Sequence, residues 1–203
     1  EGVRATFLEG RGFPSLIAVA QDASGNGMGM CLAISKAIGT TKMGVLDSTF
    51  EEEVLIDLFE EHQPSLYGLR AMYTALVEAG CSPEAVMLDL YASGEGVKFA
   101  EYGRDLGAFE RMKRTSVTAQ YGHLVWSKKY FDEEKTLNGM REMLANIKDG
   151  SFIAALKAEK AKNAKDIDQT WKENNDHELV KKEHELYQLL GRRPKDAPAP
   201  GDD

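Results

Sequence analysis

The chain changes from a strand-forming to a helix-forming pattern within its first quarter, and this change limits its possible folds more than any other feature. Residues 14–20 (PSLIAVA) form an apolar run of strand length, and a glycine-rich turn over 22–30 leads into a short predicted helix over 31–38. A second short apolar run covers 43–46. From residue 48 onward the spacing of apolar residues is typical of helices. The pattern therefore predicts a mostly α-helical protein with a small β-containing start.

The predicted helices follow one another with short breaks. Two capping boxes, Ser48 with Glu51 and Thr49 with Glu52, are both compatible with the start of the first helix, which should end near Gln63. Further helices are predicted at 66–79, from 83 to 102 with a break at 93–96, and at 108–115, 132–147, 152–162 and 176–190. We expect three regions: a strand–turn–helix start (1–47), a helical domain (48–193) and a disordered tail (194–203).

Composition excludes several classes of protein. The 203 residues include 25 Lys and Arg against 33 Asp and Glu, a net charge of −8, which argues against binding to nucleic acid or to anionic membranes. No apolar run approaches the roughly 18 residues of a membrane span, and two cysteines make no disulfide framework. We therefore expect a soluble protein of the cytoplasm or an organelle matrix that is not secreted. Because the chain begins at Glu1, we interpret it as a processed form or a piece of a longer polypeptide.

The glycine-rich turn resembles a dinucleotide-binding fingerprint only superficially. Gly25, Gly27 and Gly29 follow an apolar run and precede a helix, but the fingerprint requires its third glycine one residue later, where Met30 stands. No further βαβ units follow that could hold a dinucleotide. We interpret the turn as a loop that enters a helix.

One predicted helix carries a row of carboxylates. Glu53, Asp57 and Glu61 recur every four residues and so lie on one face, where like charges cost about 0.2–0.5 kcal/mol each. From the residues alone a solvated acidic face is the favoured interpretation. A Mg²⁺ site, which prefers such carboxylates together with water, is the alternative.

Two other polar clusters have ordinary explanations. Asp89, Ser93 and Glu95 surround the glycine break in a predicted helix, where a surface kink is the simplest interpretation. Serines and threonines over 115–118 are typical of helix caps, and no neighbouring base would activate one as a nucleophile.

Several segments together resemble one enzyme family, ketol-acid reductoisomerase (acetohydroxyacid isomeroreductase). The similarity runs in order over most of residues 3–190 and is most specific from the first strand to the acidic helix. The segments that carry it are 10–19 (GRGFPSLIAV), 21–26 (QDASGN), 48–50 (STF), 52–53 (EE), 57–61 (DLFEE), 77–80 (VEAG), 83–84 (PE), 116–122 (SVTAQYG) and 149–152 (DGSF).

The resemblance implies a knotted, all-helical C-terminal domain that dimerises and has its active site at the shared interface. In that family two Mg²⁺ ions polarise the substrate's oxygens for an alkyl migration on 2-acetolactate-type substrates, and NADPH reduces the product. The pathway is branched-chain amino acid biosynthesis.

The family's site residues map onto five positions of this chain. Asp57 and Glu61 match the first pair of metal carboxylates and are the expected catalytic residues. Asp89 stands where a second helix supplies a glutamate; its partner is Ser93 without an insertion or Glu95 with one of two residues, and the onward spacing to Ser116 suits Glu95 better. Ser116 matches the serine that binds the substrate's carboxylate.

The departures from the family pattern concern the cofactor and the end of the acidic helix. Most of the NADPH-binding domain has no counterpart in this chain, so NADPH is expected to bind only through a missing or separate domain. Glu60 and 62–64 (HQP) replace the usual Gly-Glu-Gln pattern. We do not expect complete activity from this polypeptide alone.

Two hypotheses for function follow from the resemblance. In the first, the chain is the Mg²⁺-dependent part of a reductoisomerase that works with an NADPH domain on another segment. In the second, it is a catalytically inactive descendant that serves as a structural or accessory subunit of a larger assembly. The expected partners are a second copy in a homodimer, the other subunits of a larger complex, or a separate NADPH-domain chain.

Overall fold

The computed structural model describes residues 2–194 and 196–198. Most of the predicted tail lies outside these residues. The chain divides into two compact units, one formed by Glu1–Gln63 with Arg141–Ser151 and the other by Pro64–Met140 with Phe152–Asp203. Each is described by itself.

The first unit is built around a two-stranded parallel sheet. Strands β1 (Ser15–Ile17) and β2 (Val45–Asp47) pair with Ser15 opposite Val45 and Ile17 opposite Asp47. The helices of this unit are α1 (Gly2–Leu8), α2 (Gly27–Ala37), which lies between the strands in sequence, and α3 (Phe50–Glu61), which follows β2 after two residues.

A close backbone approach in the first unit requires glycine. Gly12 is buried with a φ of +85°, and a Cβ atom there would lie 2.3 Å from the carbonyl oxygen of Gly39. Such a contact is far shorter than van der Waals separation, so no larger residue fits without movement of the backbone.

The second unit is helical throughout its described residues. Its core contains five buried residues, and the side chains of Tyr73 and Met87 are its largest fully buried ones; the five are Tyr73, Val86, Met87, Ala92 and Leu186. The elements are α4 (Ser65–Glu78), α5 (Pro83–Met87), a π-helical segment (Leu88–Ala92), α6 (Glu95–Leu106), a 3₁₀ turn (Glu110–Arg114), α7 (Val117–Leu124), a second 3₁₀ turn (Trp126–Lys129), α8 (Glu133–Lys148), whose last residues belong to the first unit, α9 (Ser151–Ala161), α10 (Lys165–Asn175) and α11 (Glu178–Leu189).

The predicted mostly helical class is confirmed, with two short strands among the described residues. The sequence pattern missed α1, α7 and α10. The polar composition of α10 concealed it, because Ile167 and Trp171 are its only large apolar residues. The knot remains a prediction. Within the described part of the chain, no helix is long and apolar enough to cross a bilayer.

Candidate functional site

The acidic helix α3 begins at the second of the two predicted capping boxes. The side-chain oxygen of Thr49 accepts a hydrogen bond from the backbone nitrogen of Glu52 at 3.0 Å. The carboxylate of Glu52 in turn accepts a 2.7 Å hydrogen bond from the hydroxyl of Ser48. These bonds satisfy one of the free N–H groups of the first turn and fix where the helix starts.

This start places the predicted row of carboxylates on one solvent-exposed face of α3. Glu53, Asp57 and Glu61 are all exposed, and none forms an ion pair with another described residue. Carboxylate oxygens at this spacing suit a hard divalent cation such as Mg²⁺, which keeps several water ligands. The donor set of Asp57 and Glu61 therefore fits the expected metal.

The end of α3 is fixed by the residues that depart from the family pattern. The ring nitrogen Nδ1 of His62 contacts the carbonyl oxygen of Leu58, and the amide of Gln63 donates to the carbonyl oxygen of Phe59 at 3.0 Å. Both side chains occupy carbonyl groups of the last turn, which otherwise lack partners. Glu61 is therefore the last helical residue before this closed end.

Asp89 lies in the second unit, in the π-helical segment that continues α5. The backbone nitrogen of Ser93 donates to the carbonyl oxygen of Leu88 at 3.0 Å, a bond across five residues rather than four. Such a widened turn accommodates an additional residue in a helix and is frequent at functional sites. The predicted break in this helix thus begins before its glycines.

Ser93 and Glu95 have different local roles. The hydroxyl of Ser93 accepts a hydrogen bond from the backbone nitrogen of Glu95 at 3.3 Å, and Gly94 between them has a φ of +83°. Glu95 is the first residue of α6, and its side chain is exposed.

Ser116 is the N-cap of α7. Its hydroxyl oxygen accepts a hydrogen bond from the backbone nitrogen of Ala119 at 3.1 Å. The sequence pattern associated these serines and threonines with the end of a helix, but Ser116 begins one. Its O–H group remains able to donate, next to the positive end of the α7 dipole.

The five predicted site residues are divided between the two units. Asp57 and Glu61 belong to the first, whereas Asp89, Glu95 and Ser116 belong to the second. Among the described residues, no group of three or more His, Cys, Asp and Glu side chains is placed to hold a metal ion. The assembly of the four carboxylates into one metal site remains a prediction.

The glycine-rich turn enters α2 as expected, and a carboxylate of the chain itself lies at the start of that helix. Asp22 accepts hydrogen bonds from the backbone nitrogen of Gly27 at 2.8 Å and from the backbone nitrogen and hydroxyl of Ser24 at 3.0 and 2.9 Å. The Gly27 bond, followed by the Ser24 hydroxyl bond, lowers the pKa of Asp22 below its usual 3.8. The position that a bound phosphate would take is therefore used by Asp22.

Sequence reasoning did not find a cavity of about 850 Å³ in the second unit, which lies against α4, the π-helical segment, α10 and α11. Its walls are largely apolar and include Trp171 of the missed helix α10. The four-residue spacing of Ile167 and Trp171 was the one signal for that helix face.

Comparison with known proteins assigns nearly the whole chain to one family. Residues 50–191 match the family described as "Ketol-acid reductoisomerase, C-terminal domain", and residues 1–44 match "Acetohydroxy acid isomeroreductase, NADPH-binding domain". A putative ketol-acid reductoisomerase 3 of Saccharolobus solfataricus is 38% identical over 201 residues, which cover 97% of this chain and 60% of the relative. A ketol-acid reductoisomerase (NADP(+)) of Mycobacterium avium is 33% identical over 199 residues, or 96% of this chain and 56% of that protein.

A solved structure agrees with these matches. The NADH-preferring ketol-acid reductoisomerase from an uncultured archaeon superposes with a TM-score of 0.79 and 28% sequence identity, over 93% of this chain and 57% of the other. The chain spans 60% and 56% of the length of the two curated relatives. The C-terminal-domain match alone covers more than half of the chain, and so the chain belongs to the ketol-acid reductoisomerase family.

Proposed function

We propose that the chain supplies the Mg²⁺-dependent part of a ketol-acid reductoisomerase, which carries out an alkyl migration on 2-acetolactate-type substrates in branched-chain amino acid biosynthesis. The observation that carries this proposal is the exposed pair Asp57 and Glu61 on one face of α3, inside the region that matches the family. The NADPH-dependent reduction would use a cofactor domain of which this chain contains a part.

The carboxylates would hold the metal in two pairs. Asp57 and Glu61 present oxygen ligands from successive turns of α3, and Asp89 and Glu95 would supply the second pair. We favour Glu95 over Ser93 because the Ser93 hydroxyl already accepts the Glu95 backbone N–H. Bound Mg²⁺ would act as a Lewis acid toward the substrate's oxygens.

Ser116 would hold the substrate's carboxylate. Its oxygen accepts the Ala119 backbone N–H, which orients the hydroxyl and leaves its proton free to donate. The positive end of the α7 dipole lies beside it and favours a negatively charged group. Together these features would fix the substrate's orientation without any covalent step.

A second copy of the chain is the partner we propose, as the resemblance implies. Val117, Tyr121 and Leu124 follow one another at helical spacing on α7, and all three are exposed, Val117 by 82%. A helix stripe of this kind normally packs against another element. Because the stripe begins directly after Ser116, a partner that covers it would also enclose the substrate position.

The metal site is tested by thermal unfolding with and without Mg²⁺. Mg²⁺ at about a hundred times its Kd should stabilise the chain by about 2.7 kcal/mol, and Asp57→Asn should abolish the shift. Glu53→Gln is a matched control, because Glu53 lies one turn earlier on the same face and outside the proposed ligand set. Absence of a Mg²⁺ shift in the wild type, or equal shifts in both variants, would contradict the metal site.

The activity is tested in a fusion that restores the cofactor domain. The upstream segment of the Saccharolobus solfataricus relative, joined ahead of residue 1, should give Mg²⁺-dependent NADPH oxidation with 2-acetolactate, and Ser116→Ala should raise KM. A folded, Mg²⁺-binding fusion without turnover would instead favour the alternative role as a structural or accessory subunit.

A further inference from the structure

The cavity in the second unit has an apolar body with one charged group that lacks an ionic partner. Its apolar lining includes Leu66, Leu69, Ile167, Trp171 and Leu179. A volume of about 850 Å³ lies within the range of roughly 300–1,000 Å³ that is usual for small-molecule sites.

Arg70 is the one cation among the described residues that line this cavity, and it is held in a fixed position. Its Nη1 donates to the side-chain oxygen of Asn174 at 3.2 Å, and its guanidinium carbon lies 5.2 Å from the ring centre of Tyr67. The amide of Asn174 is itself oriented by a 2.9 Å bond to the carbonyl oxygen of Thr170. Arg70 is half-buried and forms no ion pair within the described part of the chain.

The two acidic residues of the lining, by contrast, have partners elsewhere. Glu183 accepts hydrogen bonds from the hydroxyls of Tyr91 and Tyr187. Asp166 lies 3.8 Å from the ammonium group of Lys162. Arg70 is therefore the charged group of the cavity that a ligand would complement, and the complement of a guanidinium is an anion.

We infer that this cavity binds a hydrophobic monocarboxylate, with its carboxylate on Arg70 and its apolar body against the leucines and Trp171. A single guanidinium suits a carboxylate better than a phosphate, which normally engages several donors. The inference concerns a cavity separate from the residues of the proposed metal site and does not depend on that function.

The test uses decanoate as the probe and Trp171 as the reporter. Trp171 is 64% exposed at the cavity, and Trp126→Phe leaves it as the only tryptophan of the chain. Decanoate should change the Trp171 fluorescence saturably, whereas decanol and decylammonium should bind at least about tenfold more weakly, because they cannot form the charge-assisted bond.

Variants at Arg70 separate this site from nonspecific adsorption. Arg70→Gln should weaken decanoate binding about tenfold or more and leave decanol binding unchanged, and Arg70→Lys should retain part of the preference. Arg104→Gln is the matched control, because Arg104 is an exposed arginine paired with Asp105 and does not line the cavity.

Two results would overturn the inference. The first is an equal affinity for decanoate and decanol in the wild type, a comparison that stands even if Arg70→Gln fails to fold. The second is the absence of saturable binding, which is the result expected if a second copy of the chain covers the cavity; sedimentation of the same sample identifies that case.

Discussion

The hydroxyl of Ser93 accepts the backbone N–H of Glu95, 3.3 Å away, across a glycine in the left-handed conformation. Two residues that the sequence offered as alternatives for one ligand position thus have separate local roles. The serine stabilises the start of α6, and the glutamate leaves its carboxylate exposed.

This relationship predicts opposite phenotypes for the two positions. Ser93→Ala should lower the free energy of unfolding by about 0.5–1.5 kcal/mol, because a backbone N–H loses its partner, and should keep the Mg²⁺-induced shift. Glu95→Gln should leave the metal-free stability nearly unchanged and reduce the shift. Urea unfolding with and without Mg²⁺ measures both quantities, and a Mg²⁺ shift that follows Ser93 instead would refute our choice of ligand.

The contact between Gly12 and Gly39 predicts a large effect of one added methyl group. Gly12→Ala combines a positive φ with a Cβ 2.3 Å from a carbonyl oxygen and should cost at least about 3 kcal/mol. Gly10→Ala is the control, because Gly10 has a φ of +73° but open space around it, and it should cost only about 1–2 kcal/mol. Similar losses in the two variants would show that strain rather than the close approach dominates.

The hydroxyl of Tyr73 is buried and has no hydrogen-bond partner among the described residues. Burial raises the pKa of this hydroxyl. Tyr73→Phe should therefore be neutral or stabilising by about 1 kcal/mol, since it removes a desolvated polar group without leaving a cavity. Tyr187→Phe should destabilise by about 0.5–1.5 kcal/mol, because Glu183 loses a donor. Urea midpoints at constant m-value compare the two, and a clear loss of stability in Tyr73→Phe would contradict the assignment.

The lowered pKa of Asp22 predicts a pH-dependent contribution to stability. Because the folded pKa lies below 3.8, the contribution is complete well above that value and is lost as the pH falls through the folded pKa. The stability difference between the wild type and Asp22→Asn should thus be largest near about pH 6 and shrink toward acid pH. A difference that does not change with pH would show that the carboxylate's charge is not involved. Ser24→Ala should shift the Asp22 pKa back toward 3.8 in an NMR titration.

Local signals in the sequence were sufficient for much of the fold. The capping box at Thr49 and Glu52 located the start of α3, and therefore the face on which Asp57 lies, because capping depends on near neighbours only. The Ser116 cluster was assigned to the wrong end of a helix, since a capping serine marks a boundary without showing on which side the helix lies. The α10 helix was missed because its stripe contains only Ile167 and Trp171.

The candidate site was predictable in its residues but not in its assembly. Four-residue spacing determines that Asp57 and Glu61 share a face, whereas their approach to Asp89 depends on tertiary and quaternary contacts that no local pattern encodes. The Arg70 cavity escaped sequence reasoning for the same reason, because its partner Asn174 is 104 residues away in the chain.

The π-helical segment explains how two residues five positions apart, Met87 and Ala92, both enter the core. They are 0% and 2% exposed, whereas in a regular α-helix residues five apart are rotated by about 140° from each other. The wider turn reduces that angle, so one surplus residue is absorbed locally and the core is filled on both sides of it. The segment therefore works as a length adjuster: removing one residue from it would restore an ordinary helix and turn everything after it, Glu95 included, by about 100° around the axis.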